Sequence, residues 1–271
     1  MNRKDLTFGS RPRLLVSVKN ARESAIAIEG GAEIIDIKEP ARGSLGKSDD
    51  AVIREIADTV RALDPKLPIS SALGELHDWD AANPLPVLPN EVDFVKLGLS
   101  QSAGCKDWVA DFGRFRELLT EQSARRLSWV TVIYADWQSA RAPSPDQILD
   151  AIPQTGSEAV LVDTFHKDGR SLWEILPPGE FAALAKRVHG LGLPLAVAGN
   201  LRLKDLSRLE PFSPQIIAIR SAACRDGNRN GPISANAVQR IRKKISEWPA
   251  AASRNVRQRF AARPTLGPFD E

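Results

Sequence analysis

Eight short apolar segments, nearly evenly spaced between Arg13 and Arg220 and separated by helical stretches, predict a parallel sheet closed on itself, a single-domain TIM (β/α)8 barrel. No long insertion breaks the alternation, so each crossover can be short and right-handed. An open doubly wound sheet is the competing arrangement. The number of strands and the lack of a G-x-G-x-x-G turn after the first one favour closure. A chain of 271 residues, 42% of them hydrophobic, accommodates this barrel as one domain. Residues 1–12 read as an N-terminal extension and 13–248 as the barrel. Residues 249–271, with Arg254, Arg257, Arg259 and Arg263 among alanines and prolines, read as a mobile, solvated basic tail.

The first strand is Arg13 to Val18. Asn20, with Glu23 three positions on, forms a capping-box-like start for a helix ending at Gly30-Gly31. The second strand, Glu33 to Lys38, organises the rest. Alternation puts Ile34, Asp36 and Lys38 on one face and Ile35 and Ile37 on the other. A charged pair on an otherwise apolar strand is costly unless it is paired or used. A helix opens at Ser48-Asp49, with Val52, Ile53, Ile56, Val60 and Leu63 at helical spacing. Leu67 to Leu73 is the third strand, and the acidic, proline-rich connection Gly74 to Asn90 carries no settled pattern. Glu91 to Leu97 is the fourth strand, with Phe94 and Lys96 facing inward, and a helix follows near Asp107 to Ala124. Ser128 to Tyr134 is the fifth, followed by Asp136-Trp137 and a helix announced by Ser144-Pro145. Glu158 to Asp163 is the sixth, followed by a helix to about His189. Leu193 to Ala198 is the seventh and Gln215 to Arg220 the eighth, and a helix from Ser234 to Trp248 closes the chain's pattern.

Composition removes several classes of function. The net charge of +3 is spread with acidic and basic residues interleaved, which gives no stripe for nucleic acid. Cys105 and Cys224 lie far apart without metal-ligand spacing, as suits a reducing cytoplasm. Met1 to Pro12 lacks the apolar core of a signal peptide, and no window reaches the roughly 20 apolar residues of a membrane span. The reading is a soluble cytoplasmic protein with no membrane partner and neither metal nor cofactor. His77, His166 and His189 have no triad or ligand spacing. A homo-oligomer stays open.

In such a barrel the C-terminal strand ends form the active face. Those ends carry Lys19, Asp36 with Lys38, Lys96, Asp136, Asp163 with Lys167, Asn200 and Arg220. Strand ends that simply meet solvent would mix Ser, Asn, Lys and Glu, whereas here lysines and aspartates alternate. Two lysines meeting in a desolvated mouth lower each other's pKa, and a neutral amine is a nucleophile that forms a Schiff base with a carbonyl carbon. Asp36 or Asp163 would move protons and orient the amine. Spacing does not fix which lysine attacks; Lys38 has the nearest built-in carboxylate. Ala198-Gly199-Asn200 and Arg220-Ser221-Ala222-Ala223-Cys224 suit an anion site after the seventh and eighth strands, with Arg220 as a fork of donors and Cys224 as a small filler.

Several ordered motifs carry a family resemblance. They are Leu14-Leu15-Val16-Ser17, Gly30 through Lys38, Gly43-Ser44-Leu45-Gly46, Phe94 through Leu99, Tyr134-Ala135-Asp136, Val162-Asp163-Thr164 with Lys167-Asp168-Gly169, and Ile219-Arg220 through Cys224. From about Arg13 to Trp248 the chain resembles the (5-formylfuran-3-yl)methyl phosphate synthases, also called 4-(hydroxymethyl)-2-furancarboxaldehyde-phosphate synthases, of methanofuran biosynthesis. The resemblance implies a TIM-barrel lyase condensing two molecules of the triose phosphate glyceraldehyde 3-phosphate, with loss of phosphate and water. By that resemblance Lys38 is the Schiff-base lysine and Lys96 the proton-transferring one; the cluster of lysines and aspartates itself suggests that Asp163 assists Lys96. Asp36, Asp163 and Lys167 complete the catalytic set. Ser17, Asp136, Gly199, Asn200, Arg220 and Ser221 form the substrate and phosphate set. Asn200 replaces a usual serine and Ser221 a usual glycine. A class I aldolase on another sugar phosphate and a noncatalytic phosphometabolite-binding barrel are the rival readings.

Overall fold

Eight parallel strands pair in chain order and the last pairs back onto the first, so the sheet closes. The computed structural model describes residues 11–80 and 83–249. The expected N-terminal extension and basic tail thus lie almost wholly outside the described residues. The strands are β1 (Arg13–Val18), β2 (Ile34–Ile37), β3 (Ile69–Glu75), β4 (Phe94–Gly98), β5 (Ser128–Tyr134), β6 (Ala159–Asp163), β7 (Leu195–Val197) and β8 (Ile216–Ile219). Closure shows in the register, where Leu15 pairs with Ile34 of β2 on one side and Ala218 of β8 on the other.

Period-two alternation gives every strand an inner and an outer face. Leu14, Val16, Ile35, Ile37, Val95, Ile133, Val160 and Ile217 belong to the larger buried cluster, which joins the sheet to the helices. Leu15, Ile34, Ala72, Val130, Leu161, Ala196 and Ala218 form a second cluster, the barrel interior. The outer face is the more extensively apolar because helices cover it completely.

The helices are α1 (Ala21–Glu29), α2 (Asp50–Leu63), α3 (Trp108–Gln122), α4 (Pro145–Asp150), α5 (Ile152–Thr155), α6 (Leu172–Ile175), α7 (Pro178–Gly190) and α8 (Ala235–Ser246). Asn20 caps its helix as anticipated, its Oδ1 accepting from Glu23 N, but the Glu23 side chain does not close the box; Ser144, at the expected helix start, forms a full capping box with Gln147. Other connections depart from expectation through their prolines. The helix expected up to His189 is split into α6 and α7 at Pro177-Pro178, because proline supplies no N–H and displaces the preceding residue from helical conformation. Between β7 and β8 the chain makes only 3-10 turns, Leu203–Arg208 and Glu210–Phe212, the second containing Pro211. Pro68 shifts β3 two residues along from the Leu67–Leu73 expectation, and that shift brings Glu75 into the sheet. Among its described residues, the connection after β3 has one 3-10 turn, Leu76–Asp78. No helix among the described residues is long and apolar enough to cross a membrane.

Candidate active site

Charge enters the mouth from the even-numbered strands. Asp36 lies in β2 with Lys38 just beyond it, Lys96 in β4, Asp163 in β6, and Arg220 just beyond β8. In a barrel of this type alternate strands contribute to a common interior layer, so these side chains converge although they are far apart in sequence. They line a cavity of about 720 Å³ together with Ser17, Lys167, Gly199, Asn200 and Ser221. Lys38, Lys96, Asp36 and Asp163 expose no more than 7% of their surface, so charge there must be balanced by protein groups rather than by water.

The balance is specific. Lys96 Nζ donates to Asp36 Oδ1, and Ser17 Oγ donates to Asp36 Oδ2 at 2.9 Å. Lys167 Nζ donates to Asp163 Oδ1 at 2.8 Å and to Thr164 O at 2.5 Å. Burial pushes the Asp163 carboxyl up, but Lys167 and Lys38, with hydrogen bonds from Lys167 and Thr164, outweigh it and leave its pKa below the usual value. Lys38 is the cation left with least support. Its Nζ donates to Ser44 O at 3.3 Å, and burial, opposed by Asp163 and then Asp36, lowers its pKa from 10.5 to about 8. Lys167 and Lys96 push in the same direction as burial.

The structure redraws several of the expected pairings. Lys96 meets Asp36 across the interior rather than Asp163, whose Oδ1 is taken by Lys167 and whose Oδ2 faces Ser44 Oγ at 3.2 Å. Asp136, expected at substrate, does not line the cavity. Its carboxylate accepts from Phe165 N at 2.6 Å and His166 N at 2.9 Å, so it shapes the loop after β6. Asn200 lines the cavity, but its amide donates to Gly169 O at 2.7 Å and ties the loop after β7 to that after β6. Gly199 has φ near +100°, and a Cβ there would lie 3.1 Å from both Thr164 and Leu172, so glycine suits the junction twice over. Arg220 borders the cavity with its fork closed on Glu23, Ser17 O, Arg229 O and Gly231 O. Lys19 turns away to Asn230 O.

Three features escaped the sequence. Ser44 links the amine of Lys38 to the carboxylate of Asp163, and its tight loop needs Gly46, where a Cβ would fall 2.3 Å from Glu39 O. The Gly43-Ser44-Leu45-Gly46 motif was the available signal. Glu75, brought in by the shift of β3, accepts from Tyr134 Oη at 2.5 Å and Ser100 N at 2.8 Å. Burial, the Glu75 charge and its hydrogen bond push the Tyr134 hydroxyl far above its usual pKa, so it stays a donor. Arg229 lines the cavity from the loop after β8. Among the described residues, no group of three or more His, Cys, Asp or Glu side chains is placed to hold a metal ion.

A closed parallel barrel with buried lysines and carboxylates gathered at its strand C-termini is a TIM barrel whose cavity lies where enzymes of this fold carry their active sites. The family model described as 4-HFC-P synthase matches residues 14–242. The (5-formylfuran-3-yl)methyl phosphate synthase of Archaeoglobus fulgidus is 31% identical over 237 residues, covering 86% of this chain and 99% of the relative. That of Methanopyrus kandleri is 31% identical over 250 residues, covering 87% and 100%. The chain belongs to the 4-HFC-P synthase family of enzymes. Among solved structures, GGGPS from Thermoplasma volcanium superposes with a TM-score of 0.58 at 11% identity, over 87% of this chain and 92% of that one, a likeness of fold.

Proposed function

We propose that this enzyme condenses two molecules of glyceraldehyde 3-phosphate into (5-formylfuran-3-yl)methyl phosphate through an imine on Lys38, in the cytoplasm, as a step of methanofuran biosynthesis. The observation that carries the chemistry is the Lys38 amine, whose pKa near 8 leaves a reactive neutral fraction at physiological pH, beside two carboxylates and a second lysine. Family membership supplies the product.

In this reading Lys38 Nζ attacks the aldehyde carbon of one triose phosphate and water leaves. The cationic nitrogen acidifies the neighbouring C–H, and its proton passes to the Lys96–Asp36 pair, which lies in the same cavity. The resulting enamine carbon attacks the aldehyde of the second triose. Asp163, held ionised by Lys167, stabilises the iminium charge and accepts protons during loss of phosphate, loss of a second water and ring closure, and cleavage of the C–N bond returns Lys38 as the free amine. A cavity that holds both trioses lowers the entropic barrier to their meeting.

Wild-type protein incubated with glyceraldehyde 3-phosphate alone should give furan absorbance and free phosphate in step. Borohydride should trap the adduct on Lys38, and Lys38→Ala should give neither product nor adduct. An adduct on another lysine overturns the assignment. An aldolase would equilibrate sugar phosphates without releasing phosphate, and a binding barrel would give no turnover.

A further inference from the structure

Arg220, the cation that the sequence offers for substrate phosphate, has no donor to spare. Its Nε donates to Arg229 O at 2.7 Å, Nη1 to Ser17 O at 3.1 Å and to Glu23, and Nη2 to Glu23 Oε1 and Gly231 O, both at 3.2 Å. A fork with every branch engaged by protein acceptors does not capture an anion without breaking a buried pair. What those bonds do is hold the backbone of the loop after β8, and that loop presents Arg229 to the cavity.

Arg229 is in the opposite condition. It is half-buried, it makes no ion pair among the described residues, and its Nη2 donates to Gly43 O at 3.1 Å from the loop after β2. Its Nε is buried with no acceptor. A buried donor without an acceptor is unfavourable, and in a native structure it asks for an explanation. Burial lowers its pKa while the Asp163 carboxylate pushes it back up, which places the guanidinium within electrostatic reach of the catalytic pair. Arg202 and Arg240 also border the cavity, but both are exposed, so solvent already satisfies them.

We propose that Arg229, held in place by Arg220, is the residue that binds the phosphate of the substrate and so selects phosphorylated over free aldehydes. The phosphate would meet the guanidinium from the cavity that Arg229 lines, a charge-assisted hydrogen bond in a partly desolvated setting. The identity of the anion rests on the triose phosphate reading above; the existence of the anion site rests on Arg229 itself.

The test compares wild type, Arg229→Gln and Arg229→Lys, with inorganic phosphate as the calorimetric probe and glyceraldehyde 3-phosphate as substrate. Arg229→Gln should weaken phosphate binding and raise KM together, by about 10- to 100-fold, with kcat held within about threefold, and Arg229→Lys should recover part of the affinity. Equal phosphate affinity in wild type and Arg229→Gln, no phosphate binding by wild type, or a fall in kcat at unchanged KM would each overturn the proposal. Phosphate binding that depends on Arg229 in a protein that makes no furan would leave this site standing and remove the substrate reading. Furan synthesis with an indifferent Arg229→Gln would do the reverse.

Discussion

A lysine amine is ordinarily protonated until pH exceeds about 10, and an amine in that state attacks no carbonyl. Lys38 differs because burial outweighs the attraction of Asp163 and Asp36, and its pKa falls to about 8. At pH 7 roughly a tenth of the amine is then neutral, a fraction that grows until the pH passes the pKa. The rate of borohydride-trapped imine formation should therefore climb through a midpoint near pH 8 and level above about pH 9; a midpoint near 10 would sink the desolvation argument. The same shift has a sign for stability. The unfolded chain holds the Lys38 proton up to 10.5 and the folded one only to about 8, so between these values the unfolded state binds more protons and stability rises with pH. The burden that Lys38 places on folding is full below about pH 8 and gone above 10.5. At this scale the sequence was informative where a charge interrupts an apolar strand, as at Asp36, Lys38 and Lys96. It was silent on Arg229, because a loop arginine looks the same whether it meets solvent or a cavity.

Strand ends turn those residues into a site, and β4 does so partly by what it omits. Gly98 at its end has no Cβ, and one added there would lie 2.1 Å from Glu75 Oε2 and 2.4 Å from its carboxyl carbon. Glu75 cannot simply swing away, since Tyr134 Oη and Ser100 N hold its two oxygens and join β3, β4 and β5. Gly98→Ala should accordingly cost about 1–3 kcal/mol, through overpacking and the loss of a buried hydrogen bond. Gly104→Ala, where an added Cβ meets nothing within 4 Å, should stay within about 0.5 kcal/mol. Denaturant unfolding of both variants checks this, and equal midpoints would refute it. The strands were readable because alternation imposes period two on them. The connections were less so: Pro68, Pro177 and Pro178 moved or divided elements for which the sequence had suggested other limits.

Across the whole molecule, what the sequence could not reveal is how the two ends of the barrel meet. Gly30 at the end of α1 packs so closely on α8 that an added Cβ would sit 2.6 Å from Val238 Cβ. The buried Arg220–Glu23 pair ties the end of β8 to α1. In the sequence Glu23 resembles the partner of Asn20 in a capping box; in the fold its carboxylate accepts from Lys19 N at 3.0 Å and from Arg220 instead. Both residues were legible as polar, but their partnership spans most of the chain, and local spacing carries no trace of such pairs. Glu23→Ala leaves a buried guanidinium uncompensated and should cost about 3–5 kcal/mol, while Glu23→Leu combined with Arg220→Met removes both charges and should cost less than the two single changes summed. The loop after β8 loses its tether in the double variant, so that protein should fold yet bind inorganic phosphate more weakly than wild type. A double variant whose loss equals the sum would mean that the pair is two independent contacts, and unchanged phosphate affinity would mean that closing the barrel and presenting Arg229 are separate tasks.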